Sequence, residues 1–244
     1  MTTFALTDAV ITIDENDLTG DSSSVALNAT ADELESTTFG STYRSKIGGL
    51  KTVEMTHEGF FNVAANRVDR YAFADLATTT VVQVAPTSTD GDTAYGFNGQ
   101  RLDYTIGGTV GDIMSATGLV SGTSSVGLVT GKLAYRDTGN VTVGATASAN
   151  ACDFVSVASG DTMYIATSLL ANTADTCDVV VEHDDNSSFT SATTHTTRNY
   201  TSTTSELFSL GTAGTTERYW RVTVTVGTTG DYTIPAISIL RIPA

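Results

Sequence analysis

The segment "YWRVTVTV", residues 219–226, constrains the fold more than any other stretch of the chain. Trp220, Val222, Val224 and Val226 fall on one side of a two-residue period, with Tyr219, Arg221, Thr223 and Thr225 on the other. Only an extended strand sends alternate side chains to opposite faces, so this segment requires a sheet with one face against a core. The residues around it agree. Thr, Ser, Gly, Ala and Val dominate, and 3 prolines in 244 residues leave the strands largely uninterrupted. The fold class is mainly β.

Further strands follow from the same pattern. Residues 8–14 ("DAVITID") form the first. In "SVALNATA", Val25, Leu27, Ala29 and Ala31 alternate with polar neighbours. Residues 32–50 read as a long irregular segment, and a loop of that length between two good strands is more often functional than idle. "LKTVEMTHEGFF" resumes the strand, with Val53, Met55 and Phe61 on one side and Glu54, Glu58 and Phe60 on the other. One helix is predicted over residues 66–77, where Val68, Tyr71, Ala72 and Leu76 recur at helical spacing. The turn chemistry of "YRDTGNVTVG" (135–144) marks a boundary between domains 1–138 and 139–244, unless the chain runs on as one continuous domain. Short strands with regular turns beyond it argue a second β-sandwich-like half.

The charge is lopsided: 27 acidic against 12 basic side chains, net −15, with Lys46, Lys51 and Lys132 the only lysines. Such a surface repels nucleic-acid backbones and lacks the cationic clusters that drive counterion release. Against that background "TTFGSTYRSKIGGLKTVEMTHEGFF" (37–61) stands out. It concentrates Arg44, Lys46 and Lys51 with Phe39, Tyr43 and Leu50. The start of the chain has no basic, apolar leader pattern, and no apolar run reaches the length of a membrane span, so no membrane partner is expected. Cys152 and Cys177 are either a pair or two small buried hydrophobes. A chain without an export pattern favours the second.

The sequence carries no catalytic constellation. His57 reads as a strand-surface histidine, His183 sits where a strand enters a turn beside Asp184 and Asp185, and His195 lies in a Ser/Thr-rich loop. Adjacent strand residues point to opposite faces, which argues against a metal held by 183–185. "GDSSS" (20–24) lacks the context of a nucleophile elbow. "DENDLTGDSSSV" (14–25) fails as a calcium loop, with Thr19 at its sixth position and Val25 at its twelfth. "IGGTVGDI" has no Lys-Ser/Thr to make a phosphate loop. No cofactor, metal or enzymatic activity is expected.

Residues 8–80 resemble the N-terminal half of major tail proteins, the tail-tube proteins of long-tailed, non-contractile (siphovirus-type) viruses. The resemblance is carried by Thr37, Phe39, Gly40, Arg44, Gly48, Gly49, Leu50 and Lys51, and by the short helix expected after "GFF". "VVVEHDDNSSFTSA…TTERYWRVTVTV" is similar to the second half of many such proteins. The resemblance implies a tail-tube β-sandwich or barrel with a long inter-strand loop or hairpin. It also implies self-association into stacked, hexameric rings around a channel for viral DNA. Tape-measure, tail-terminator and tail-tip proteins would be the partners, and the virion tail the destination after synthesis in the host cytoplasm.

That expectation has a physical logic. An acidic wall keeps phosphates mobile where a cationic one would trap them, and Glu54, Glu58, Asp103 and Asp112 are the lumen candidates. Phe39, Tyr43, Arg44, Lys46, Leu50 and Lys51 are the candidates for a subunit or ring interface, apolar anchors flanked by charge. The alternatives are a capsid decoration or tail-terminator protein, or a carbohydrate-binding β-sandwich. The last calls for an exposed aromatic row, and the pattern places Trp220, the only tryptophan, inward.

Overall fold

The computed structural model describes residues 8–40, 42–64, 69, 72–142, 146–148, 151–173, 176–212, 218–227 and 231–244. They form antiparallel sheets throughout. In chain order the strands are β1 (Val10–Ile13), β2 (Asn16–Asp17), β3 (Ser22–Glu35), β4 (Lys46–Phe60), β5 (Thr79–Ala85), β6 (Thr93–Gly107), β7 (Ser115–Gly122) and β8 (Val129–Thr142). There follow β9 (Thr146–Ser148), β10 (Cys152–Asp153), β11 (Thr162–Thr173), β12 (Cys177–Asp184), β13 (Thr193–Tyr200), β14 (Thr204–Thr212), β15 (Tyr219–Val226) and β16 (Asp231–Ile242).

The organising element is β6. One of its edges pairs with β5. The other is shared: Thr93–Gly96 pairs with β8, and Gly99–Gly107 pairs with β7. The 11-stranded sheet therefore divides at β6. One branch runs β7, β4, β3; the other runs β8, β16, β11, β14. The first branch curls so that Ile11 and Ile13 of β1, Val82 and Val84 of β5 and Phe97 of β6 share a core with Val53 and Met55 of β4 and Val120 of β7. The second branch is covered by a 5-stranded sheet in which β15 lies between β12 and the short β9 and β10. Val179 and Val181 of β12 and Trp220, Val222, Val224 and Val226 of β15 meet Met163, Ile165, Ile237 and Ile239 of the larger sheet. The inward row of β15 is the one its alternation prescribes.

β8 runs unbroken through residue 138, and three strands from the second half extend a sheet begun in the first. The two parts are also tied face to face. Gln83 of β5 donates to Ser168 of β11 (2.9 Å) and to the Ala236 carbonyl (3.3 Å), and Arg136 on β8 pairs with Asp17 on β2 (2.9 Å).

The structure departs from the sequence pattern at several places. Of the helix expected over 66–77, Asp69 is helical, residues 66–68, 70 and 71 lie outside the described residues, and 72–77 are turns. The segment 32–50 is strand at both ends: β3 continues to Glu35 and β4 starts at Lys46, leaving residues 36–45 as the connection. Cross-strand pairing holds these residues extended although their side chains bury little. His57 is not on the surface. It lies on the Val53–Met55 side of β4, 5% exposed, beneath Gly118 of β7, where even a methyl group would come within 2.4 Å of its Nε2. His195 belongs to β13 rather than a loop, and its Nε2 lies 3.0 Å from the Leu210 carbonyl oxygen. Cys152 and Cys177 are free, buried thiols.

Candidate functional site

Two surfaces of the β7–β4–β3 branch carry the residues singled out by sequence. The first is an arm. β7 accompanies β4 only from Phe60 back to Glu54. From Val53 to Lys46, β4 has β3 alone for a neighbour, and this two-stranded ribbon continues for about 25 Å at the rise of an extended chain. Its side chains are exposed on both faces, whereas Val53, Met55 and His57 of the same strand are buried. A register shift opposite Ala31–Glu33 absorbs one extra β4 residue. Gly49 sits at that shift, with Asp32 so close that a Cβ would lie 2.9 Å from its Cβ. At the tip the Ser45 amide donates to the Thr37 hydroxyl (3.0 Å) and the Ser36 amide to the Ser45 carbonyl (2.8 Å). Gly40 supplies the left-handed turn residue at φ 95°.

The arm brings together five of the six interface candidates as exposed groups with unsatisfied chemistry. Phe39, Tyr43 and Leu50 project almost wholly into solvent, joined by Leu34 and Ile47, which the sequence reading missed. Lys46 differs: it pairs with Glu33 across the ribbon. Arg67 and Arg70 lie outside the described residues. Of the other ten cations seven sit in ion pairs, and Arg44 and Lys51 are two of the three that do not. In an acidic protein most cations are used internally, so unpaired ones on a protruding ribbon are notable.

The second surface is the solvent face of β4, β7 and β6. Glu54 pairs with Ser121, Thr56 with Leu119 and Glu58 with Thr117; Leu119 in turn pairs with Asp103 and Thr117 with Thr105. Cross-strand partners share a face, so Glu54, Glu58 and Asp103 lie on one side of three adjacent strands. No ion pair among the described residues engages them. Asp112 is elsewhere, on the exposed β6–β7 turn, where its amide donates to the Thr109 carbonyl (2.9 Å).

The opposite side of these strands is closed by ionisable groups in unusual states. Arg101 is 2% exposed, with Asp75 at 3.5 Å, and burial pulls its pKa down against the attraction of Asp75 and Asp14. Desolvation lowers His57 to about 4, helped by the Arg101 charge and opposed by Asp69. Asp69 accepts hydrogen bonds from the Tyr104 hydroxyl and from the Asn62 amide (2.7 Å).

In the second sandwich, His183, His195 and Trp220 form a three-ring cluster, with the imidazole centroids 4.9 and 5.2 Å from the indole and 5.8 Å from each other. Asp184 accepts from the amides of Asn186 (3.1 Å) and Ser191 (2.9 Å), which holds its pKa down and commits it to shaping the turn. Among the described residues no group of three or more His, Cys, Asp or Glu side chains is placed to hold a metal, and no helix is long and apolar enough to cross a membrane.

No protein family and no curated protein sequence matches the chain. Similarity to solved structures is distant. A chain of the virion of a native gene transfer agent particle aligns with 48% of this chain and 92% of its own length, at 15% identity and a TM-score of 0.41. A chain from the tail of an empty gene transfer agent particle with C6 symmetry aligns with 43% of this chain and 79% of its own (15% identity, TM-score 0.37). The SPP1 Dit protein, a hub of the adsorption apparatus in phages infecting Gram-positive bacteria, aligns over 97% of this chain and 100% of its own (10% identity, TM-score 0.38).

Proposed function

We propose that the chain is a structural, non-enzymatic protein of a virion tail, polymerising as stacked hexameric rings into the tail tube of a siphovirus-type virus. The observation that carries this reading is the β3–β4 arm. A two-stranded ribbon is marginally stable alone in water, yet this one extends beyond its sheet with Leu34, Phe39, Tyr43, Ile47 and Leu50 exposed. Among the described residues β3 pairs only with β4, so its outer edge is also open to a neighbouring strand. Exposed apolar anchors and an open edge fit a chain whose working state is an assembly.

The acidic face fits the same state. If Glu54, Glu58 and Asp103 face the axis of a ring, each copy adds carboxylates to a wall that repels phosphate and lets DNA slide. The hexameric number and the tape-measure, tail-terminator and tail-tip partners come from the sequence resemblance. Residues 1–138 would form the tube-building part, and residues 139–244 an addition braced on it.

Purified protein examined by negative-stain electron microscopy at rising concentration and salt, beside a light-scattering mass, tests the proposal. Hollow tubes of stacked rings are the expected result. A monomer or trimer that never polymerises, even on broken tails as seeds, would replace it with a decoration protein or a carbohydrate-binding module.

A further inference from the structure

Lys132, the third cation without an ion pair, lines a hollow of about 400 Å³ at the end of the larger sheet. Thr93 of β6 pairs with Lys132 of β8, and Tyr95 pairs with Thr130, which pairs in turn with Arg241 of β16. Cross-strand partners share a face, so these side chains together make the floor. The wall is the segment that follows β10. Val155 holds φ at 63°, and the Ser156 amide donates back to the Phe154 carbonyl (2.6 Å), closing a tight three-residue turn. A β-branched residue is strained in that conformation. Asp153 imposes it: its Oδ1 accepts from the Val155 amide (2.7 Å), while Arg218 clamps both of its oxygens (2.8 and 2.6 Å). Strain of this kind persists only where the surroundings enforce it, and here it sets Phe154 and Val155 against the hollow.

We propose that this hollow binds a carboxylated sugar, a uronic acid unit of an acidic polysaccharide. The hydrogen-bond inventory selects that ligand. Among the described residues, the hydroxyls of Thr93, Tyr95 and Thr130 and the Lys132 ammonium form no hydrogen bond within the chain. Lys132 and Arg241 can only donate. Arg241 gives one N–H to the Ser156 carbonyl and lies 3.5 Å from Asp161. Asp153, the one carboxylate lining the hollow, feels the Lys132 charge, but its oxygens already serve Arg218 and the Val155 amide. The hollow therefore offers donors and no free carboxylate, so the ligand must bring anionic oxygen. Arg241 and Arg218 each have an acidic partner, which leaves the single charge of Lys132 and suits a monoanion over a phosphate dianion. Past Tyr95 the groove continues into a second hollow of about 230 Å³, which shares Thr93 and Tyr95 with the first. Its chemistry is the reverse. Asp92 accepts from the Thr87 hydroxyl (2.6 Å) through one oxygen and keeps the other for a ligand hydroxyl, beside the apolar ring of Pro86. Asp90 on the same turn also keeps anions from that side. A hydroxylated ring on Tyr95 with its carboxylate towards Lys132 satisfies both hollows. The groove belongs to a single copy of the chain, so it stands apart from the tube reading.

Calorimetric titration of the full-length protein tests this, using the disaccharides of galacturonate, glucuronate and mannuronate beside their neutral counterparts and acetate. At least one acidic disaccharide should bind with a Kd of about 1 mM or tighter. Its neutral counterpart and acetate should each bind about tenfold more weakly or worse. Lys132→Gln should cost the acidic sugar about tenfold as well, with an unchanged melting transition, because the ammonium holds nothing else in place. Silence from all three acidic sugars at about 10 mM would overturn the proposal. So would equal binding by Lys132→Gln, by the neutral sugars, or by acetate. Tubes that take up no sugar would sink the site and leave the tube standing. A chain that binds the sugar and never polymerises would do the opposite.

Discussion

Two side chains show how single residues set the stability of this molecule, and both are histidine-linked. His57 is held neutral in a site where a proton would be costly, at about 4 against 6.5 in the unfolded chain. Above pH 6.5 neither state binds the proton. As the pH falls from 6.5 towards 4 the unfolded chain takes it up and the folded chain does not, so folding stability is lost across that window, by about 3 kcal/mol at its lower end. Asp90, pushed up to about 6 by burial, acts with the opposite sign, because its folded form holds a proton that the unfolded form has released. Wild type alone therefore mixes the two. Subtracting the urea stability of His57→Gln at pH 7 and pH 4.5 isolates the histidine, and identical pH slopes in the two proteins would contradict a buried neutral His57. Trp220 is the other case. It is 1% exposed and packs against both His183 and His195, and Trp220→Ala should cost about 3–5 kcal/mol in the same measurement. A loss below 1 kcal/mol would mean the indole is not a centre of the second core.

At the scale of elements, the arm is separable from the body. Its tip contributes to none of the buried clusters, so replacing residues 36–45 with Asn-Gly should leave the melting transition unchanged, within about 0.5 kcal/mol. The same change should abolish polymerisation, scored by sedimentation. A truncated chain that melts early would show the arm to be part of the fold rather than a tool of assembly. Sequence pattern reached the elements unevenly, for physical reasons. β15 and β12 were legible because one face of each is buried and the period survives along the whole strand. β3 beyond Ala31 and β4 before Leu50 were not, because an arm exposed on both faces has no reason to alternate. Burial of His57 was missed for the opposite reason: a polar residue took an inward position because Gly118 across from it leaves the room. The grouping of His183, His195 and Trp220 depends on strand neighbours far apart in sequence, which no local spacing reports. The interface candidates gathered on one arm because they were contiguous. Of the lumen candidates, Glu54, Glu58 and Asp103 share a face while Asp112 went to the turn, since a two-residue period places strand residues and cannot place loop ones.

For the whole molecule, the sign of the charge on the β4–β7–β6 face separates a channel wall from an ordinary solvated surface. The chain carries −15, so copies repel at low ionic strength, and assembly should strengthen as salt screens them. The face itself can be inverted without touching the core, because Glu58 is exposed, Glu54 is half-buried, and neither enters an ion pair among the described residues. In a ring with this face inward, Glu54→Lys with Glu58→Lys replaces two carboxylates per copy by two ammonium groups around a narrow axis. Tubes assembled from that variant in the presence of short duplex DNA should retain the DNA, and each lysine–phosphate contact should steepen the salt dependence of retention by roughly one counterion. The retained DNA should resist nuclease, because the wall encloses it. Lysines placed on the outside of the tube would also bind DNA, but would leave it open to digestion. Nuclease-sensitive retention by the Glu54→Lys, Glu58→Lys tubes would therefore turn this face outward and move the channel wall to another part of the sheet.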